Sequence, residues 1–306
     1  LLTKWTRNRD HTGGVDAVKK AGTRYLPKHP DMHTPADYES HKAATEYFPA
    51  SARTLESHCG LVFRKQPTLT GPDQLLSISS VLTADGQSLE QLARWSFKEF
   101  AITNDGGLLV DYPEDTSADD RPFIARYAAE TILELSYTVR GGRKILSHVR
   151  LLDDAETVRQ LHFVDGVYTQ TIHKYINKQW VIVSSTTPLR DGQPLSTIPF
   201  VYLGNDDEIA IFDDICETNY TYYLHASKLE LALRYLSRPQ PYILGVADDT
   251  ELDLSPASVW RFENHEVKLG YLEFAGSGIQ AIERQLDRLK ESMAQIGSRM
   301  LSSEKA

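Results

Sequence analysis

Sulfur is scarce in this chain of 306 residues, which has two cysteines, Cys59 and Cys216, and three methionines. Two cysteines cannot make a disulfide framework, and their separation lacks the CxxC spacing of a zinc site. Both read as reduced, buried, small apolar side chains, which suits a cytoplasmic setting. Long apolar runs are also missing. No stretch approaches the roughly 20 consecutive apolar residues that cross a bilayer. The opening Leu1-Leu2-Thr3-Lys4-Trp5-Thr6-Arg7 has no signal-peptide core. It also has no initiator methionine, so the chain is expected to begin inside a longer product. The polar run Leu301-Ser302-Ser303-Glu304-Lys305-Ala306 reads as the opposite limit of an ordered portion. The expectation is a soluble protein made in the cytoplasm.

Excess positive charge is absent too. There are 33 basic against 42 acidic side chains, a net charge of −9 with histidine neutral. That balance argues against a passive nucleic-acid coat, whose affinity comes from clustered Lys and Arg displacing counterions. It is compatible with a protein that lets DNA slide past without holding it. With 41% hydrophobic and 25% charged residues, the composition is that of a folding chain. The length suits two domains or one large domain with insertions.

Helical signals fill the first hundred residues. Thr34-Pro35-Ala36-Asp37 supplies a hydroxyl cap, a proline at the first helical position and an acid in the first turn. That helix is expected to run through Tyr47 and Phe48 to a break at Pro49. A second piece, from Ala50 to His58, is expected to end at Gly60 as a left-handed stop. Residues 89–100 form another helix, with Leu89, Leu92, Ala93, Phe97 and Phe100 on one side.

From Leu108 to about Leu203 the apolar period is two. Gly141-Gly142, Asp165-Gly166 and Asn177-Lys178 each join alternating runs, so an antiparallel meander is expected. The run Ile198-Pro199-Phe200-Val201-Tyr202-Leu203 is expected to close it. Two long helices follow, over about 208–236 and 278–301, the first stopped by Arg238-Pro239-Gln240-Pro241. In the second, Ile279, Ile282, Leu286, Leu289, Met293, Ile296 and Met300 recur at gaps of three and four, a seam that side-by-side helices require. The fold class is α+β. Its parts are a helical region (1–107), an antiparallel region (108–207), a first long helix (208–241), an extended excursion (242–276) and a second long helix (277–306).

Catalytic constellations are hard to find. Asp105, Asp111, Glu114, Asp115, Asp119 and Asp120 crowd one stretch without a base. Converging carboxylates would suit a two-metal nuclease, but turn formers such as Pro113 and Ser117 favour a solvated loop. The ten histidines are scattered; His29 and His33 are separated by Pro30, so no helix presents both to one metal. Gly276-Ser277-Gly278 lacks the GxxxxGK[ST] pattern of an ATP loop and reads as a flexible helix cap. No GxSxG elbow is present. The residues themselves point to a structural or interaction protein, with no catalytic residue, no metal ligand and no cofactor.

Several stretches, taken in order, resemble one family. These are Trp5, Arg9-Asp10 and Gly14; residues 17–22 (Ala-Val-Lys-Lys-Ala-Gly); Tyr25-Leu26-Pro27; Ala52-Arg53-Thr54-Leu55; and residues 60–67. Gly107 to Pro113, Arg121-Pro122-Phe123, Tyr127, Ala129-Glu130-Thr131-Ile132 and Ile198 to Tyr202 follow. Tyr271 to Gly278 leads to residues 293–301. The combination resembles the portal proteins of tailed bacteriophages, nearest the branch long known as an uncharacterised phage domain. Each motif alone consists mostly of core and turn residues, and their order carries the resemblance.

That resemblance implies a virion protein, assembled in the bacterial host cytoplasm, forming a ring of usually twelve copies at one capsid vertex. Double-stranded DNA is packaged and ejected through its channel. The implied partners are other copies of the chain, terminase, tail adaptor proteins and the major capsid protein, with no membrane. Residues 1–207 correspond to a wing, the two long helices to a stem, and residues 242–276 to a small clip; a distal crown is expected to be absent. Alternatives are another head–tail component, such as an adaptor or shell protein, or a metal-dependent nuclease. On the second long helix Arg284 and Arg288 lie four apart and share a face. They, with Lys228 and Arg234 on the first, are candidates for lining the channel, or else for pairing with nearby acids. Leu286, Leu289 and Met293 are the candidates for packing against the other long helix or a neighbouring subunit.

Overall fold

The computed structural model describes residues 1–66, 68–73, 76, 79–113, 121–190, 192–205, 209–236, 240–245, 266–272 and 277–299. Helices and antiparallel sheets combine in an α+β fold. The chain divides into two compact units: residues 1–14, 51–217 and 296–306 form the first, and 15–50 and 218–295 the second.

In the first unit, helix α1 (Leu2–Thr12) precedes α4 (Ala50–Val62, in this unit from Ser51) and α5 (Leu89–Thr103). α5 starts in a capping box. The Gln91 amide donates to Ser88 Oγ at 3.4 Å, and the Ser88 amide donates to Gln91 Oε1 at 2.9 Å. Asn104 ends it with φ 54°, the left-handed cap. α4 departs from its expected boundary. The helix passes through Gly60 to Val62, because an exposed glycine near a helix end keeps right-handed dihedrals when the following residues remain helical.

Strand β1 (Gly107–Asp111) lies between β2 (Phe123–Tyr127) and β10 (Phe200–Tyr202) in a three-stranded sheet. β3 (Ile132–Arg140), β4 (Arg143–Asp154), β5 (Thr157–Val164), β6 (Val167–Ile176) and β7 (Gln179–Thr186) form the expected meander in sequential order. β8 (Leu189–Arg190) and β9 (Gln193–Pro194) make a minimal ladder. The meander therefore closes at β7. The run at 198–203 instead pairs with β1, Leu109 opposite Phe200, a long-range contact that no local turn signals.

Three two-residue turns set the meander's register. Both residues have positive φ in Gly141-Gly142, Asp165-Gly166 and Asn177-Lys178, as the hairpin turns that match strand twist require. The core joins both sheets through Leu109, Tyr127, Val149, Leu151, Leu161, Phe163, Tyr168, Ile198 and Phe200.

In the second unit, α2 (Val15–Ala21) and α3 (Pro35–Ala44) accompany most of α6 (Asp213–Leu236) and α7 (Ser277–Arg299). α3 has the Thr34–Asp37 capping box and Pro35 at its first position, as expected. It ends at Ala44, earlier than expected, because Thr45 turns extended with ψ 120°. The core is rich in tyrosine. Tyr25, Tyr38, Tyr47 and Tyr223 cluster with Val18, Leu26 and Met32, and Tyr47 meets Tyr223 edge-on at 5.4 Å. The pair β11 (Gln240–Leu244) and β12 (Lys268–Leu272) occupies the ends of the excursion between the long helices.

Two glycines give opposite expectations. Nothing lies within 4 Å of a Cβ built on Gly60, so Gly60→Ala is expected to raise stability by about 0.5–1 kcal/mol in chemical denaturation. A Cβ on Gly107 collides with the Phe200 ring, so Gly107→Ala is expected to lower stability by about 1–3 kcal/mol. Destabilisation by Gly60→Ala would mean that α4 does stop at that glycine.

Candidate functional site

The candidate residues lie on the two long helices. α7 has one buried side and one charged side. Leu286 and Met293 are buried and Leu289 is half-buried. Arg284 and Arg288 lie on the exposed side among Glu283, Asp287 and Glu291. Arg284 Nε donates to the Gln280 carbonyl at 3.1 Å within its own helix. On α6, Lys228 is exposed, and Arg234 is 3.9 Å from Glu230 one turn earlier. The two arginines of α7 therefore share an exposed face.

Lys290, on the same helix, holds a specific position. Its ammonium lies 5.6 Å from the Tyr222 ring centroid and 5.7 Å from that of Phe48, a cation–π contact between α7 and α6. Near the end of α7, in the first unit, Gly297 approaches Thr54 of α4, and His58 Nε2 lies 3.3 Å from the Gly297 carbonyl. A glycine at that position permits the close approach.

The densest polar constellation in the first unit surrounds α1. Arg9 Nη2 donates at 2.6 Å to both Glu99 Oε1 and Glu130 Oε2. Glu99, itself buried, also accepts from the Ala129 amide at 2.8 Å. Burial pulls the Arg9 guanidinium downward, but its hydrogen bonds to Glu130 and Glu99 outweigh this and hold it above its ordinary value. On the next face of α1, Asp213 at the start of α6 accepts from Lys4 (3.0 Å), Arg7 (2.5 Å) and Asn8 (3.2 Å). Arg7 also pairs with Glu217. The sequence carried a signal for this that went unread. Lys4, Arg7, Asn8 and His11 recur at gaps of three and one, a polar stripe on one helix face, and Asn8 and His11 are fully buried.

The acidic stretch is only partly described, since Glu114, Asp115, Asp119 and Asp120 lie outside the described residues. Asp111 pairs with Arg159 at 2.5 Å, and Arg159 also holds Asp153 at 3.0 Å, which accepts from Tyr127 Oη at 2.6 Å. A cavity of about 750 Å³ opens beside Asp111, Tyr168, Gln170, Arg190 and Pro199. Of its polar groups, Asp111 is held by Arg159 and Tyr168 Oη donates to Gln170 at 3.0 Å. Among the described residues no three His, Cys, Asp or Glu side chains are placed to hold a metal ion. Gly276 and His265 also lie outside the described residues.

The meander does bring three of the scattered histidines to one face of its sheet. His148 and His162 are register partners with stacked rings 4.6 Å apart. Gln160 bridges onward, with its Nε2 3.1 Å from His148 Nε2 and its Oε1 2.9 Å from His173 Nε2. The cysteines are free and buried, and burial pushes the Cys216 thiol up to about 12.

Residues 212–306 match the family model described as a domain of unknown function (DUF4055). No curated protein matches the chain. Among solved structures, a chain from the neck of an empty gene transfer agent particle is 9% identical, with 84% of this chain and 69% of that one covered and a TM-score of 0.42. A chain from the virion of a native gene transfer agent particle is 10% identical, with 89% and 72% covered, also at 0.42.

Two tests follow from the geometry. Leu286→Ala is expected to cost about 2–5 kcal/mol if its site does not collapse, whereas an unchanged melting temperature would place that face outside the packed interior. Acid should also destabilise the fold. Burial first, then Arg7, holds the His11 imidazole at about 3, and burial lowers His41, His162 and His225 as well. A depressed imidazole binds its proton more readily when unfolded. Stability is thus full above about 6.5, the ordinary histidine value, and falls as pH drops toward 3. The melting temperature is expected to decline between pH 7 and 5, and less steeply in His11→Gln.

Proposed function

We propose that the chain is a structural subunit of the head-to-tail junction of a tailed-phage-type particle. More specifically, we infer a portal subunit whose copies form a ring through which double-stranded DNA passes. The observation that carries this reading is the ordered run of portal-type motifs from Trp5 to residues 293–301. The family match over residues 212–306 covers both long helices and their connection.

The physical features suit that role. A one-sided helix such as α7 buries Leu286 and Met293 and presents alternating charges outward. An acidic subunit repeated around a ring repels DNA phosphates and lowers friction during passage. Sparse cations such as Arg284 and Arg288 would guide the strand without the many phosphate contacts that stall it. In this reading the two arginines line the channel, Lys228 and Arg234 are secondary stations, and residues 1–207 form the wing. Ring copies, terminase, tail adaptors and the major capsid protein are the partners. Chemistry is left to the motor, and the chain itself is non-enzymatic.

Replacing Arg284 and Arg288 with Gln tests the assignment, with packaged genome per particle and ring assembly scored separately. Normal rings with reduced packaging or ejection are the expected outcome. Failed rings would assign the pair to subunit contacts, and no change in either would remove both from the channel. Magnesium-dependent DNA cleavage or ATP hydrolysis by the purified chain would contradict the structural role altogether.

A further inference from the structure

The five-stranded sheet ends in two uncovered margins, β3 on one side and β7 on the other, and among the described residues no strand continues it past either. β7 is unusual for an edge. Trp180, Val181, Ile182 and Val183 are consecutive and 50, 45, 60 and 46% exposed. Edge strands that stay solvated are blunted by charges, prolines or bulges. The eight residues of β7 contain no charge and no proline. A register irregularity beside Val183 is their single blunting device, and it leaves Gln179–Ile182 in regular pairing with β6. On the opposite margin Leu133, Tyr137 and Val139 are 47, 49 and 69% exposed. Apolar surface gathered this way on a sheet edge marks a contact with another protein.

We propose that the β7 edge of one copy packs on the β3 edge of the next, extending the sheet from subunit to subunit. Three observations select a second copy, head to tail. Four successive antiparallel pairings separate the margins, so β3 and β7 run in the same direction. A head-to-tail repeat keeps that sense, so β7 of one copy would meet β3 of the next as a parallel pair. A two-fold pairing of β7 with itself would cover Trp180–Val183 but leave Leu133, Tyr137 and Val139 exposed, whereas one repeated head-to-tail contact covers both margins. The charges of β3 are also engaged within their own sheet. Glu134 is 3.6 Å from Arg150 and 3.5 Å from His148, and Arg140 lies over the Phe163 ring at 5.7 Å. The contact thus buries no unpaired charge. This inference rests on the ring reading above and adds the surface by which neighbouring subunits join.

Engineered cysteines give the test. The native thiols, Cys59 and Cys216, are 2 and 0% exposed and stay out of mild oxidation. Double variants of the full chain combine Leu133→Cys or Tyr137→Cys with Val181→Cys or Val183→Cys. Within one copy these positions lie about four strand spacings of ~4.8 Å apart, too far for a disulfide. At least one combination is expected to give a ladder of covalent dimers, trimers and higher species on non-reducing gels, while each single variant gives none. Ile182→Lys is expected to reduce the assembled fraction at least tenfold at unchanged far-ultraviolet circular dichroism. Dimers from Val181→Cys or Val183→Cys alone would overturn the head-to-tail pairing in favour of a two-fold one. Wild-type rings by native mass spectrometry, with no ladder in any combination, would overturn this contact and leave the ring reading intact. A monomeric wild type would overturn both.

Discussion

The first unit depends on how Arg9 is held. Its guanidinium joins three segments far apart in sequence: α1, the buried Glu99 of α5, and Glu130 just before β3. Glu99 is shared with the Ala129 amide, so the same carboxylate fixes the backbone that leads into the meander. A buried ion pair is costly to desolvate, and its removal strands the partner charges. The geometry here meets that cost with several charge-assisted hydrogen bonds. One turn away, Arg7, Asn8 and Lys4 fasten the same helix to Asp213 and so set where α6 begins.

Most local features were legible in the sequence because their causes are local. The Thr34 cap with Pro35 and Asp37 and the three two-residue turns of the meander are each written in two to four adjacent residues. The free, buried cysteines followed from count and spacing alone. Contacts between distant segments were not legible. The pairing of Phe200 with Leu109 is decided by which open strand offers an apolar partner. The Arg9 clamp joins residues 90 and 121 positions apart. Gly60 misled because glycine signals a possible left-handed stop without requiring one. The Lys290 contact was not legible either, because a long side chain on a helix can reach two aromatic rings that sequence does not place beside it.

The same division holds for the candidate functional residues. The three-and-four spacing of apolar residues on α7 gave its buried side, and the four-residue gap gave Arg284 and Arg288 a common face. What those arginines face in an assembly depends on neighbouring copies, which no single chain encodes visibly. The open apolar margins of the meander belong to this class as well. They become apparent only once strand order is known, and they supply what a repeated subunit needs: two different surfaces with exposed apolar side chains, on opposite sides of one sheet.

Rotational symmetry is the most direct test of the central claim. Class averages from electron micrographs of the purified chain are expected to show closed rings around an open channel, with the twelve-fold symmetry usual for the portal family. Particles that stay monomeric at micromolar concentration, or that assemble only as six-fold hexamers, would contradict it.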